Sequence, residues 1–250
     1  MLVDERGKVM QYNKRLEPLN AARKFVEKYF SNCQAALLAG SVVRGEATIT
    51  SDLDIVIFDK EVKSAYRESF IEFEWPIEVF VHNLTSYKKY LTMDYERAIP
   101  SLQKMLVEGI VIKDDGVVEK IKKEAQQILE NGPQQWSLQT MDTKRYFITD
   151  VLDDFIGCTK IHEELFIVNR LAELVSEFIL RANGKWVGTS KWVFRLLKAH
   201  DEQLAFQFFE AFNLYYETKD KTQIIVFVDN VLEPYGGRLF EGFSMGKAIR

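Results

Sequence analysis

The chain has 250 residues, 47% of them hydrophobic and 28% charged, and its formal net charge at pH 7 is −4. This composition is typical of a globular protein, and the length suffices for a buried core or for two modest domains. The acidic balance disfavours a protein that grips long nucleic acid, because proteins of that class gather Lys and Arg on one face.

The sequence carries no sign of a membrane span or of export. No apolar run approaches the roughly 20 residues of a membrane-spanning helix, and the segment MLVDERGKVMQYNKR lacks a signal-peptide core. Cys33 and Cys158 lie far apart, in neither a CxxC nor a zinc-ligand spacing. Two free thiols without an export signal indicate a cytoplasmic protein with no membrane partner.

Strand and helix patterns alternate along residues 1–131. Apolar positions at helical spacing predict a helix within 12–31, and the apolar segment 34–39 predicts a short buried strand. The patterns that follow predict a short helix at 42–46, a strand at 52–58, a helix at 61–73, a strand at 76–81, helices at 85–96 and 100–108, a strand at 110–113 and a helix at 117–130. We therefore expect a small mixed sheet with flanking helices, which ends at the linker Asn131-Gly132-Pro133.

Beyond this linker, long apolar patterns at helical spacing replace the strand patterns. They predict helices at about 137–157, 162–182, 189–213 and 219–232, with breaks at Gly157, Asn183-Gly184 and residues 218–220. We expect a helical bundle with an irregular tail that is docked by Phe240 and Phe243. The fold class is then α+β, with a mixed-sheet domain at 1–131 followed by an all-helical domain at 132–250.

Two segments of the first domain place acidic side chains on apolar strands. Asp52 and Asp54 lie two residues apart, so their side chains share one face of a strand, and Glu78 lies in the second apolar run, 76–81. Burying several carboxylates together is costly unless a cation or hydrogen bonds compensate, which makes exposed edge acids the less favoured interpretation. We therefore predict a divalent-metal site at these three acids. His82, on the same strand as Glu78, either hydrogen-bonds one of the carboxylates or packs in the core.

A turn of small residues, Gly40-Ser41, precedes the first acidic pair. The turn follows the predicted first strand, and backbone N–H groups at the start of the short helix after it would face an anion. The glycine lets the backbone approach closely, and the serine hydroxyl adds a donor. Arg44 either pairs with a phosphate through its planar fork or forms a salt bridge to Glu46 or Asp52.

The Gly-Ser turn, the Asp-x-Asp strand and the acid on a later strand occur together and in this order. This set resembles the DNA polymerase β nucleotidyltransferase superfamily, most clearly over residues 35–82. The chain's size and helical second half look most like the small-molecule members, such as the aminoglycoside and lincosamide nucleotidyltransferases. The resemblance implies that Asp52 and Asp54 bind Mg²⁺, which bridges the nucleotide phosphates in a two-metal site. Glu78 would complete the shell of the second metal or act as the base, for which an acid of the helical domain is the other candidate.

The resemblance also implies an activity and its partners. The chain would move a nucleoside monophosphate, with AMP as the first candidate, from a nucleoside triphosphate to a hydroxyl of a small acceptor, and antibiotics are among the candidate acceptors. The active site would lie between the two domains, and residues 183–192 would close over the nucleotide. Lys191 is then either a contact to the triphosphate or an ordinary surface lysine. A homodimer is compatible with the relatives, although no residue of this chain demonstrates one.

A second interpretation is a regulatory or antitoxin-type nucleotidyltransferase–HEPN protein with a protein or RNA target. Arg195 and His200 match the R-x4-H signature of HEPN toxins, but positions five apart lie about 140° around a helix and share no face. Asp150, Asp153 and Asp154 do share a helix face, which is either solvated or able to attract a cationic acceptor. A third interpretation, a nucleotide-binding module without activity, is disfavoured because all three predicted metal ligands are present.

Overall fold

The computed structural model describes residues 15–246. The chain divides into two compact units, Met1–Asn131 and Gly132–Arg250. The segment 1–14, in which the sequence has no signal-peptide core, lies outside the described residues. Among those that are described, no helix is both long enough and apolar enough to cross a membrane.

A five-stranded mixed sheet lies at the centre of the first unit's described part. Its strands are β1 (Ala35–Ala39), β2 (Leu53–Phe58), β3 (Tyr66–Glu72), β4 (Trp75–His82) and β5 (Ile110–Asp114). They are arranged in the order β3-β4-β2-β1-β5. The pair β2–β4 is parallel and the other neighbouring pairs are antiparallel. Strands β2 and β4 therefore run side by side in the same direction, which aligns the acidic segments of both.

Helices bury both faces of this sheet. Helix α1 (Pro18–Tyr29) packs on one face, against the β2 residues Leu53, Ile55 and Ile57. On the other face, Val56 and Phe58 pack with α2 (Ser86–Glu96), α3 (Ser101–Glu108) and α4 (Val118–Asn131). Because alternate residues of a strand face opposite sides, Asp54 shares the second face with Val56 and Phe58.

Side-chain caps explain where two of these helices begin. The Glu17 carboxylate accepts hydrogen bonds from the N–H groups of Leu19 and Asn20 at 3.2 and 3.0 Å, just ahead of Pro18 at the first helical position. The Asp114 carboxylate accepts from the backbone N–H groups of the next turn, at 2.8 Å from residues 116 and 117 and 3.1 Å from residue 118. This cap starts α4 shortly after the end of β5.

The predicted helix at 61–73 is wrong, because β3 occupies most of that segment. β3 is an edge strand with mostly exposed side chains, so it lacks the apolar alternation of a half-buried strand. It joins β4 through a hairpin in which Phe73 and Glu74 have φ values of 54° and 63°. Left-handed turn positions normally favour Gly or Asn, and neither is present here to mark the hairpin in the sequence.

The short helix predicted at 42–46 is also wrong. Residues 41–45 form turns, and the N–H of Glu46 donates to the carbonyl of Ser41 at 3.0 Å. That bond spans one residue more than an α-helical bond, and Gly45 has a φ of 70°. The segment therefore closes as a loop.

The second unit is helical over most of its described part. Its helices are α5 (Leu138–Gly157), α6 (Ile161–Ala182), α7 (Lys191–His200), α8 (Glu202–Thr218) and α9 (Thr222–Leu232). Their buried faces share an apolar core that includes Phe155, Phe178 and Tyr215. The single helix predicted at 189–213 is two helices, because Asp201 leaves the helical conformation and its carboxylate caps α8 by accepting from the Leu204 N–H at 2.9 Å.

The tail after α9 docks on α5. The Phe243 ring stacks on Tyr146 with centroids 4.0 Å apart, whereas Phe240 stacks more distantly, at 6.2 Å, and is 69% exposed. Arg145 donates two hydrogen bonds, of 2.9 and 3.1 Å, to the carbonyl of Gly237. A mixed sheet followed by helices confirms the predicted α+β class.

Candidate active site

Asp52, Asp54 and Glu78 come together beside the central parallel strands. Asp54 of β2 and Glu78 of β4 are register partners, and Asp52 directly precedes β2. One carboxylate oxygen from each acid lies within 4.8 Å of the others, and all three residues are partly buried. This spacing suits three carboxylates that share one cation or one pair of cations.

Gly40 lies against the Asp54 carboxylate. It follows β1 with a φ of 82°, in the left-handed region that favours glycine. A Cβ atom at this position would lie 2.1 Å from Oδ2 of Asp54. The glycine is therefore required twice, once for its backbone conformation and once for the space that the acid occupies.

The loop after Gly40 presents polar groups beside the acids. Ser41 is 8% exposed, and its hydroxyl donates to Oγ of Ser51 at 3.1 Å. Oγ of Ser51 also accepts from the N–H of Thr48 at 2.8 Å, which ties the two ends of the loop together. Within residues 15–246, no oxygen accepts a hydrogen bond from the backbone N–H of Val42 or Val43. Such N–H groups in a tight loop suit an anion, so the loop can bind a phosphate without a helix.

The electrostatics of the site call for a cation. Burial, followed by repulsion from Asp52 and Glu78, raises the pKa of Asp54 to about 6. The positive charges of Arg67 and Arg44 lower the pKa of Asp54 but do not offset this rise. Three converging carboxylates thus lack sufficient positive charge, and their hard oxygen ligands fit Mg²⁺.

Arg44 is engaged with carboxylates of the loop and of α3. Its guanidinium forms ion pairs with Glu46 at 3.2 Å and with Glu108 of α3 at 2.9 Å. Lys104, one turn before Glu108, adds a second cation. Burial lowers the pKa of its ammonium group. The sequence indicated the partner Glu46 but neither of the α3 residues, because nothing in the pattern places the end of α3 beside the loop.

Arg67 is the further residue that the sequence did not single out. It lies on β3 and forms an ion pair with Glu78. The incorrect helix at 61–73 concealed this contact. Had the segment been identified as a strand, its antiparallel pairing with β4 would have placed Arg67 on the acid-bearing face.

His82 lies apart from the three acids, at the last position of β4. It is the register partner of Phe58, is 4% exposed and packs edge-on against Tyr90 with ring centroids 5.0 Å apart. Burial lowers its pKa to about 4, so the ring is neutral, and its Nδ1 has no hydrogen-bond partner among the described residues. These observations favour a core-packing role for His82 over a hydrogen bond to one of the three acids.

The remaining candidates lie in the second unit. Lys191 is the exposed first residue of α7, and its contact with a triphosphate stays a prediction. The acidic face of α5 is exposed, and its Asp153 pairs with Arg238 at 3.3 Å. Arg195 and His200 both lie on α7, where the guanidinium of Arg195 sits over the Trp192 ring at 5.1 Å.

Comparison with known proteins gives matches both to a family model and to solved structures. A family model described as a nucleotidyltransferase domain matches residues 19–175, more than half of the chain. A solved structure, a nucleotidyltransferase-like protein from Exiguobacterium sibiricum, is similar with a TM-score of 0.48 and 10% sequence identity, over 86% of this chain and 74% of that one. No match was found among curated proteins.

Proposed function

Because the chain belongs to the nucleotidyltransferase domain family, we propose that it transfers AMP from ATP to a hydroxyl group of a small-molecule acceptor, with Mg²⁺ held by Asp52, Asp54 and Glu78. Membership of the family makes the chain a transferase with a nucleotide substrate. The metal, the choice of ATP and the class of acceptor are what the proposal adds.

The observation that carries the proposal is the convergence of three carboxylates beside a glycine loop. Their oxygens lie within 4.8 Å of one another, and Gly40 keeps the backbone clear of Asp54. A purely structural role would leave this repulsion unrelieved, since burial and like charge both oppose ionisation of Asp54. Bound Mg²⁺ would supply the missing positive charge at the three acids, and a nucleotide phosphate would occupy the loop beside them.

Each part of the site then has a task in the transfer. When bound, Mg²⁺ would neutralise the phosphate oxygens and favour departure of pyrophosphate. The loop N–H groups of residues 42 and 43, with the Ser41 hydroxyl, hold the phosphates in place. Arg44 pairs with a phosphate by exchanging its ion pair with Glu46 or with Glu108. Glu78 or an acid of the second unit accepts the proton of the acceptor hydroxyl.

The acceptor side of the proposal rests on charge and composition. The formal net charge of −4 disfavours long nucleic acid as the acceptor and suits a small, neutral or cationic one. The acidic face of α5 offers such a molecule a place of complementary charge. Aminoglycoside and lincosamide antibiotics have this chemistry, and we include them in the proposal as candidates. Lys191 as a triphosphate contact and a homodimeric assembly belong to the same proposal.

Turnover tests the proposal. Wild-type protein with ATP and Mg²⁺ is screened for pyrophosphate release against a panel of hydroxyl-bearing acceptors that includes aminoglycosides and lincosamides. With an accepted compound, we expect Asp52→Asn and Asp54→Asn each to lose at least about 100-fold in rate, since each removes a ligand of the cation. Equal turnover by the wild type and both variants would overturn the proposal.

A further inference from the structure

Arg67 places a permanent positive charge directly on the acidic site. Its guanidinium pairs with Glu78 and also lies over the Phe80 ring, with Cζ 5.0 Å from the ring centroid. The register of the hairpin explains both contacts, because Arg67 pairs with Phe80 and Ser69 pairs with Glu78. Arg67, Phe80 and Glu78 therefore share one face of the sheet.

These two contacts hold the guanidinium at the site although the Arg67 side chain is 59% exposed. The Glu78 carboxylate pairs with the edge of the guanidinium, and the Phe80 ring packs against the face of the guanidinium. An isolated surface ion pair contributes little. This pair is different, because its acid is one of three converging carboxylates and the charge of Arg67 also acts on Asp54. Arg67 thus supplies part of the positive charge that a divalent cation would otherwise supply.

We propose that Arg67 is a positioning residue that acts as an internal counter-ion of Glu78 and competes with a divalent cation for this carboxylate. This inference rests on the proposed function. In the protein without nucleotide, the first divalent ion binds mainly through Asp52 and Asp54. Nucleotide phosphates offer the guanidinium another anionic partner, so Glu78 becomes available to a second cation once the nucleotide is bound.

Metal affinity without nucleotide tests the competition. We would titrate Mn²⁺ into the full chain and follow free Mn²⁺ by electron paramagnetic resonance. Arg67→Ala should bind Mn²⁺ about 10-fold more tightly than the wild type, because removing the unit charge that is paired with the carboxylate removes a competitor for it. Arg67→Lys keeps the charge and should stay within about two-fold of the wild type. If Arg67→Ala does not fold, Arg67→Gln removes the charge at similar length.

Two controls separate the local effect from a change in net charge. Arg170→Ala removes the same charge from an arginine with the same side-chain exposure of 59%, which pairs with Glu173 at 3.1 Å, and it should leave Mn²⁺ affinity unchanged. In a Glu78→Gln background, Arg67→Ala should raise Mn²⁺ affinity by no more than about two-fold, because the carboxylate for which Arg67 and Mn²⁺ compete is gone.

The outcomes distinguish this inference from the function on which it rests. If Arg67→Ala binds Mn²⁺ no more tightly than the wild type while Asp54→Asn still abolishes binding, the role of Arg67 is overturned and the proposed function stands. If neither the wild type nor any variant binds Mn²⁺, both are overturned.

Discussion

Asp54 is the residue on which the site's charge balance depends. Its pKa is raised to about 6, mainly by burial and then by Asp52 and Glu78. A raised carboxyl pKa means that the folded protein binds this proton more tightly than the unfolded chain does. The resulting stability is present at low pH and is lost as the pH rises from about 4 to about 6.

This balance predicts that Asp54→Asn stabilises the metal-free protein at neutral pH. We expect the free energy of unfolding at pH 7.5 to rise by on the order of 2 kcal/mol in the variant, and the difference to vanish near pH 4. Addition of Mg²⁺ should stabilise the wild type and not the variant. Urea titrations at both pH values measure this. A variant less stable than the wild type at pH 7.5 would contradict the predicted destabilisation by the ionised Asp54 carboxylate.

Gly40 offers a second prediction, with a matched control in the same loop. Gly40→Ala should lower the free energy of unfolding by more than about 2 kcal/mol and abolish nucleotide binding, because its Cβ would meet the Asp54 carboxylate at 2.1 Å. Gly45 has a similar φ of 70° but no atom within 4 Å of an added Cβ, so Gly45→Ala should cost about 1 kcal/mol and retain binding. Urea titration and calorimetry measure the two variants. If Gly40→Ala and Gly45→Ala change stability and nucleotide binding equally, backbone strain alone explains the need for glycine at position 40.

What the sequence predicted at this scale follows from local spacing. Asp52 and Asp54 are neighbours along one strand, and Gly40-Ser41 is recognisable as a loop of small residues. The pairs Arg44–Glu108 and Arg67–Glu78 join segments that only the folded sheet brings together. The sequence pattern contained no measure of those distances, so the cationic surroundings of the acids appear only in the structure.

At the scale of elements, the hairpin between β3 and β4 positions Arg67. Its turn uses Phe73 and Glu74 at positive φ, where L side chains are strained. We expect Glu74→Gly to raise the free energy of unfolding by about 0.5 kcal/mol or more, because glycine relieves that strain at an exposed position. Glu68→Gly, an equal change within β3, should instead cost about 1 kcal/mol. Urea titrations compare the two, and a loss of stability in Glu74→Gly would contradict the assigned turn.

The same elements show where pattern reading succeeds and where it fails. Buried β1 and β2 and the long amphipathic helices α5 and α6 were predicted within a few residues, because burial imposes apolar periodicity on their sequences. Edge strand β3 has little buried surface and therefore no such pattern. The boundary between α7 and α8 was missed because the single cap at Asp201 interrupts an otherwise continuous apolar stripe.

At the scale of the whole molecule, the family match extends beyond the sheet. It runs from residue 19 to residue 175, through the first unit and into α6 of the second. The α+β class and the transferase activity therefore rest on more than the loop and the three acids.

The central claim is that the three acids hold a Mg²⁺–nucleotide complex, and calorimetry tests it most directly. ATP is titrated into the purified chain with Mg²⁺, with EDTA, and with Mg²⁺ in the double variant Asp52→Asn/Asp54→Asn. We predict binding with Mg²⁺ that is lost both in EDTA and in the double variant, since EDTA removes the cation and the double variant removes two of the carboxylates that would hold it. Binding of equal strength in all three titrations, or no binding of ATP, GTP or CTP to the wild type, would contradict the claim.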